Sequence, residues 1–308
     1  MPLLPLLLVA ISIVLLWFGA DWIVDSAAAV ARTLKIPELV IGLTVVAFGT
    51  SAPEFVVTTA AAFKGLESIS LSNVIGSNIL NLGLILGLVA MIRPITARRT
   101  ILFRDGLSLL VLTVILLVMG RPLELDRFSG IFLLALLAGY IIFLFFKGKT
   151  FSLDENDHRE ASLRDYPKLV LGFAAITLGG NLLVEGARDI ALALGASEWI
   201  IGLTIVAGGT SLPELVTCLA ASIRGKNDML LGNLIGSNFF NIAGVLGLTC
   251  LLRPLNVAPE ALTGLFFLLA HLLVVLIFLR TGWRISRLEG GLLIAVNLGY
   301  WVLDATLY

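Results

Sequence analysis

Ile41-Gly42-Leu43-Thr44-Val45-Val46-Ala47-Phe48-Gly49-Thr50-Ser51-Ala52-Pro53-Glu54 returns 160 residues later as Ile201-Gly202-Leu203-Thr204-Ile205-Val206-Ala207-Gly208-Gly209-Thr210-Ser211-Leu212-Pro213-Glu214. Asn73-Val74-Ile75-Gly76-Ser77-Asn78-Ile79-Leu80-Asn81 returns at the same offset as Asn233-Leu234-Ile235-Gly236-Ser237-Asn238-Phe239-Phe240-Asn241. Between 38–94 and 198–254, 28 of 57 positions are identical without a gap, so the chain is built from two copies of one unit. Each copy sets an acid, hydroxyls and amides in otherwise apolar sequence. A carboxylate at membrane depth is costly, and a repeated one points to an ion site.

The surrounding composition places the repeats in a bilayer. The chain is 58% hydrophobic and 14% charged, with a mean hydropathy of +1.03. A soluble domain carries roughly a quarter charged residues. Apolar runs of about 20 residues recur along the whole length, enough to cross the hydrocarbon layer as helices. They are continuous rather than alternating, which excludes a β-barrel. The formal net charge is zero, so no basic patch argues for nucleic acid. Cys218 and Cys250 lie in apolar segments and read as small hydrophobes. The first apolar run has no Lys or Arg before it and reads as a retained helix rather than a cleaved leader.

Ten segments are expected, at about 3–31, 38–64, 69–93, 101–119, 129–147, 166–194, 198–224, 229–253, 260–280 and 287–307. The polar run 148–165 is the longest connection. It makes 1–147 a first repeat of five helices and 166–308 a second. Connections on the side of this linker hold 16 Lys and Arg, and those on the other side hold five. That bias puts the linker in the cytoplasm and both termini outside. Five is odd, so the second repeat enters from the opposite face. The expected fold is an all-α membrane protein of ten transmembrane helices in two inverted five-helix repeats, with a site near the bilayer middle.

On a helix, Ala47, Thr50, Ser51, Glu54 and Thr58 share one face, and Ala207, Thr210, Ser211 and Glu214 repeat it. Pro53 and Pro213 lack the N–H that the carbonyls of Gly49 and Gly209 would accept. A break is expected there, freeing carbonyls around 47–50 and 207–210. Asn73, Ser77 and Asn81 form a second face, repeated by Asn233, Ser237 and Asn241. These donors are oxygens, with no useful nitrogen or sulfur, which selects hard cations and Ca²⁺ foremost. Glu54 and Glu214 would supply four ligands if both were bidentate. Carbonyls near Thr50 and Thr210 would supply the rest of the roughly six to eight that Ca²⁺ takes. No basic residue falls in the middle of a segment to neutralise either acid.

The bland readings apply elsewhere. Asp21 and Asp25 read as solvated interface acids, Thr44 and Thr204 as packing or back-bonded hydroxyls, and His271 as a satisfied buried histidine. Asn73, Asn233, Asn78 and Asn238 read equally as interhelical hydrogen bonds or ligands. The acidic stretch 154–160 lacks the spacing and glycine of an EF-hand.

The two Gly-Thr-Ser-x-Pro-Glu and Gly-Ser-Asn copies resemble the alpha repeats of the cation/Ca²⁺ exchanger family, particularly the prokaryotic Na⁺/Ca²⁺ exchangers. The resemblance covers nearly the whole chain. It implies that Glu54 and Glu214 bind Ca²⁺ with the carbonyls of Thr50 and Thr210. It implies Na⁺ sites drawing on Ala47, Ser51, Ser77, Asn81, Ala207, Ser211, Ser237 and Asn241. It also implies that segments one and six slide against an eight-helix core. Some members carry Asp where Asn81 or Asn241 stands here, so two core acids are expected.

Two ionised carboxylates about 5 Å apart at an effective dielectric of 20 repel by roughly 3 kcal/mol. Desolvation adds about 2.5–3.5 kcal/mol for each. An empty site should rarely cross between its two open states, whereas Ca²⁺, two or more Na⁺, or two protons would each neutralise it. The expected function is therefore a Ca²⁺/Na⁺ antiporter of the cell inner membrane working by alternating access. A H⁺/Ca²⁺ antiporter and a Ca²⁺ channel are the alternatives. An enzyme is not expected, because no His, Cys or Lys stands near the glutamates. No cofactor, nucleic acid or second subunit is called for beyond Ca²⁺, Na⁺ and lipid.

Overall fold

The computed structural model describes residues 3–121, 123–148, 161–194 and 207–307. With no water in the bilayer core, backbone polar groups must bond within each segment, and the apolar runs accordingly fold as helices. They are α1 (Leu3–Thr33), α2 (Glu38–Thr50), α3 (Ala52–Phe63), α4 (67–92), α5 (Ile101–Gly120), α6 (Arg127–Gly148) and α7 (Asp165–Ala193). A short turn Ala207–Gly209 precedes α8 (Leu212–Ile223), α9 (Asn227–Leu252), α10 (Pro259–Arg280) and α11 (Arg287–Leu307). Seven of these helices are long and apolar enough to cross a membrane, and the bent pair α2–α3 makes an eighth. The other two expected spans end in α8, whose preceding stretch 198–206 lies outside the described residues, and in α11. The linker 149–160, with its acidic stretch, also lies outside them.

Close packing depends on glycines facing backbone, as expected where lipid provides no hydrophobic drive between helices. A Cβ on Gly87 of α4 would come 2.7 Å from the Gly290 carbonyl of α11. The contact recurs with the halves exchanged: a Cβ on Gly130 of α6 would come 2.6 Å from the Gly247 carbonyl of α9. Along α1 and α7, Gly19 lies against Gly172, Gly179 against Ser12 and Leu15, and Gly186 against Pro5 and Val9.

The connections obey the same exchange. β1 (Ile95–Thr96) pairs antiparallel with β4 (Arg284–Ile285), and β2 (Glu124–Leu125) with β3 (Leu255–Asn256). The residue before β2, Leu123, and that before β4, Trp283, are both left-handed, with φ of 62° and 56°. Shifting β1 by 160 gives β3, and shifting β2 gives β4, so each strand pair maps onto the other. Contacts that return with the partners swapped are the mark of a two-fold relation.

Two expectations about buried polar groups need correction. Acids beyond Glu54 and Glu214 are buried: Asp165 in the first turn of α7, and Asp105 of α5, a position not counted among the core acids. Arg104 Nε and Nη2 donate to its carboxylate at 2.7 and 3.0 Å, and the Tyr140 hydroxyl donates at 3.0 Å. This acid is neutralised within its own helix, and its equivalents Gly264 and Leu265 carry no charge. His271 is buried, yet neither ring nitrogen is hydrogen-bonded among the described residues. Its ring meets Phe267 edge-on at 5.5 Å, so packing holds it.

Adding one methyl at Gly87 (Gly87→Ala) is expected to cost about 1–3 kcal/mol through overpacking. Thermal denaturation in detergent should show a lowered midpoint. Gly139→Ala, where a Cβ meets nothing within 4 Å, should not lower it.

Candidate cation site between the two halves

The site begins at two interrupted helices. Helices α2 and α3 meet at 47°, with Ser51 between them at φ −82° and ψ 8°. Ser211 has the same conformation, φ −92° and ψ 8°, before α8. Pro53 and Pro213 occupy the first turn of the helix that follows, where a missing N–H costs nothing. The break falls slightly later than the proline argument places it. The Ala47 carbonyl is not freed, because it still accepts the Ser51 N–H at 3.0 Å. Glu54 and Glu214 lie in the first turns of α3 and α8, where the helix dipole favours negative charge.

Both carboxylates are completely buried. Each is held by the serine of the other half. Ser51 Oγ donates to Glu214 Oε1 at 3.0 Å, and Ser211 Oγ donates to Glu54 Oε1 at 3.0 Å. The two acids are near enough for each charge to act on the other. Oε2 of each has no hydrogen-bond partner among the described residues, and no cation neutralises either acid there. A buried carboxylate oxygen without a partner is expensive. Two of them, at positions 160 residues apart, leave a place that could take a cation or a proton.

Hydroxyls and amides surround the acids. Thr50 Oγ1 lies 3.2 Å from Asn233 Oδ1 and 3.3 Å from Ser237 Oγ. Asn81 Nδ2 donates to Asn238 Oδ1 at 3.3 Å, and Asn241 Nδ2 donates to Asn78 Oδ1 and to Ser77 Oγ, each at 3.2 Å. The Asn81 and Asn241 side-chain oxygens remain without partners among the described residues. Ala47, Ser51, Ser77, Asn81, Ser211, Ser237 and Asn241 are all buried, and Thr210 is half-buried. Ala207 belongs to the helical turn Ala207–Gly209.

Several positions take structural roles. Asn73 Nδ2 donates to Thr58 Oγ1 at 2.9 Å, and its equivalent Asn233 Nδ2 reaches Cys218 Sγ at 3.3 Å, which joins paired helices within each half. Asn78 Nδ2 donates to the Asn238 carbonyl at 3.2 Å. Thr44 Oγ1 bonds back to the Val40 carbonyl at 2.7 Å, while Thr204 lies outside the described residues. Asp21 and Asp25 are half-exposed, but they are not simply solvated: both pair with Arg224.

The proline argument gave no sign of one feature. Wide π-helical turns begin at Asn81 and at Asn241, covering Asn81–Ile85 and Asn241–Leu246. Such turns loosen the regular backbone ladder and cluster at functional sites. A cavity of about 330 Å³ between α4, α7 and α8 reaches Ser211, with apolar lining from Leu80, Leu84, Val184 and Leu215.

The family model of the sodium/calcium exchanger protein matches residues 4–146 and 168–304. The chain belongs to the sodium/calcium exchanger family. It is 36% identical to the sodium/calcium exchanger MaX1 of Methanosarcina acetivorans, covering 96% of this chain and 97% of that one. It is 35% identical to the inner membrane protein YrbG of Escherichia coli (strain K12), covering 96% of each. Among solved structures, the sodium-calcium exchanger NCX_Mj soaked with zero Na⁺ and Ca²⁺ superposes with a TM-score of 0.86, at 33% identity over 100% of both chains. This family member is therefore a membrane protein with an exchanger fold.

Ser51→Ala and Ser211→Ala each strand a further carboxylate oxygen. Each is expected to cost about 1–3 kcal/mol. Because the two bonds are equivalent, the two losses should agree closely in detergent denaturation.

Proposed function

We propose that the chain is a secondary antiporter that exchanges Ca²⁺ for Na⁺ by alternating access. The observation that carries this reading is the reciprocal pair Glu54 and Glu214, buried without a cation and each with an oxygen left over. In this reading Ca²⁺ is held by both carboxylates with the carbonyls of Thr50 and Thr210. Na⁺ is held by groups of Ala47, Ser51, Ser77 and Asn81 and of Ala207, Ser211, Ser237 and Asn241. The unpartnered oxygens of Asn81 and Asn241 support that assignment. Hard oxygen donors around two negative charges suit Ca²⁺, and two Na⁺ would match the same charge.

The coupling follows from electrostatics. Bare carboxylates resist passage through the closed intermediate, and a load that cancels their charge permits it. One site alternately filled by one Ca²⁺ or by Na⁺ therefore exchanges them rather than leaking either. The MaX1 relative is named a sodium/calcium exchanger, which supports the choice of Na⁺ as counter-ion.

The same reading gives ten transmembrane helices in two inverted repeats, residues 1–147 and 166–308, joined by a cytoplasmic linker 148–165. Both termini lie outside, in a cell inner membrane. The strand pairs support this sidedness. β1 and β4 both lie in connections that the Lys and Arg bias puts in the cytoplasm, and β2 and β3 both lie in connections on the other side.

Na⁺-loaded proteoliposomes diluted into Na⁺-free buffer are expected to take up ⁴⁵Ca²⁺. Glu54→Gln and Glu214→Gln should each reduce uptake to the level of empty vesicles. Wild-type rates in either variant would contradict the assignment. Uptake driven by a pH gradient without Na⁺ would replace Na⁺ by protons, and uptake without any internal counter-ion would indicate a channel.

A further inference from the structure

The internal two-fold relation acts as a control, since a contact made once but not twice marks where the halves differ. At the ends of α3 and α8 the halves begin alike. Arg253 Nη1 caps α3 through the Phe63 carbonyl at 3.0 Å, and the equivalent Arg93 Nη1 caps α8 through the Ile223 carbonyl at 3.3 Å. The next residues are Lys64-Gly65 and Arg224-Gly225, whose glycines turn with φ of 77° and 74°.

From there the halves diverge. Arg224 pairs with Asp21 and Asp25, one turn apart on α1. The equivalent set is Lys64 with Asn181 and Glu185 on α7. Lys64 and Glu185 are both exposed, and neither has an ion-pair partner among the described residues. The same asymmetry lies deeper. Gly49 of α2 abuts Phe173, and Gly209 abuts Val184, so both central glycines face α7. A symmetric seat would give one of them α1 instead. The glycine-lined α1–α7 pair therefore sits off the axis of the other helices.

We infer that Arg224 with Asp21 and Asp25, and Lys64 with Glu185, are alternating latches. The first ties α1 down at one face in the conformation seen here. The second ties α7 down at the opposite face in the other conformation. The inference rests on the antiporter reading, because inverted repeats reach their second state when the two halves trade conformations. Trading Arg224–Asp25 generates Lys64–Glu185. The charges suit this at both ends, although Asn181 replaces the second acid, so the first latch is the stronger and the observed state is favoured. These are positioning residues, acting through α1 and α7 rather than on the ion.

The test uses the full chain in proteoliposomes, with Cys218→Ala and Cys250→Ala as background. Two cysteine pairs are compared: Asp25→Cys with Arg224→Cys, and Lys64→Cys with Glu185→Cys. Disulfide formation under mild oxidant is followed by mass spectrometry. Both pairs should cross-link, the first faster. To read the coupling between faces, Arg224→Ala is added to the Lys64/Glu185 cysteine pair. Its cross-linking should rise about five-fold, the scale of a half-exposed ion pair. Exchanging the charges, Arg224→Asp with Asp25→Arg, should return the rate toward the original, which a folding defect would not do. No cross-link between positions 64 and 185 under any ionic condition, or a rate unmoved by Arg224→Ala, would overturn the latches. Because disulfide formation needs no gradient, that failure is distinct from an absence of Na⁺-driven Ca²⁺ uptake in the wild type, which would instead end the antiporter reading.

Discussion

Two carboxyl groups enclosed together in apolar surroundings dominate this molecule. Neither Glu54 nor Glu214 reaches water, and no guanidinium or ammonium neutralises them among the described residues. The rest of the architecture serves to keep them there. Broken helices aim their first turns, and so their partial positive charge, at the acids. Serine hydroxyls crossing from the other half fix one oxygen of each. The second oxygen of each is left over, and that surplus distinguishes this pair from a buried structural acid. Asp105 makes the contrast within the same chain. It is equally buried, but Arg104 and Tyr140 satisfy it, and it has no twin.

The reciprocity of the contacts explains how one duplicated unit makes a single central site. Each half contributes an acid and a serine, and neither half completes its own pair. Ser51 needs Glu214 and Ser211 needs Glu54. The amides extend the same logic, with Asn81 reaching Asn238 and Asn241 reaching Asn78. Strand pairs at the connections and glycine contacts between outer helices tie the halves by the same exchange. Against that background the α1–α7 pair stands out as the part that departs from symmetry.

Much of this was legible in the residues. The 160-residue offset picks out the acids, the serines and both asparagine faces, and the Pro-Glu steps place the helix breaks to within a turn. Three features were not legible. The π turns at Asn81 and Asn241 are features of the backbone that no residue pattern announces. Asp105 stands once, beside Arg104 near a helix end, so repetition does not single it out. The partnership of Asp21 and Asp25 with Arg224 joins residues about 200 apart, which only the folded chain brings together. The carbonyl of Ala47 shows the limit of local rules. Proline removes one donor, but the Ser51 N–H still closes the preceding turn.

The most direct measurement is anomalous scattering from crystals of the protein soaked with Ca²⁺ or the heavier Sr²⁺ in the absence of Na⁺. A single strong peak is expected between the two carboxylates, with oxygens of both Glu54 and Glu214 at about 2.3–2.6 Å. It should vanish at high Na⁺. A peak bound to only one of these acids, or a site empty at saturating divalent cation, would contradict the account.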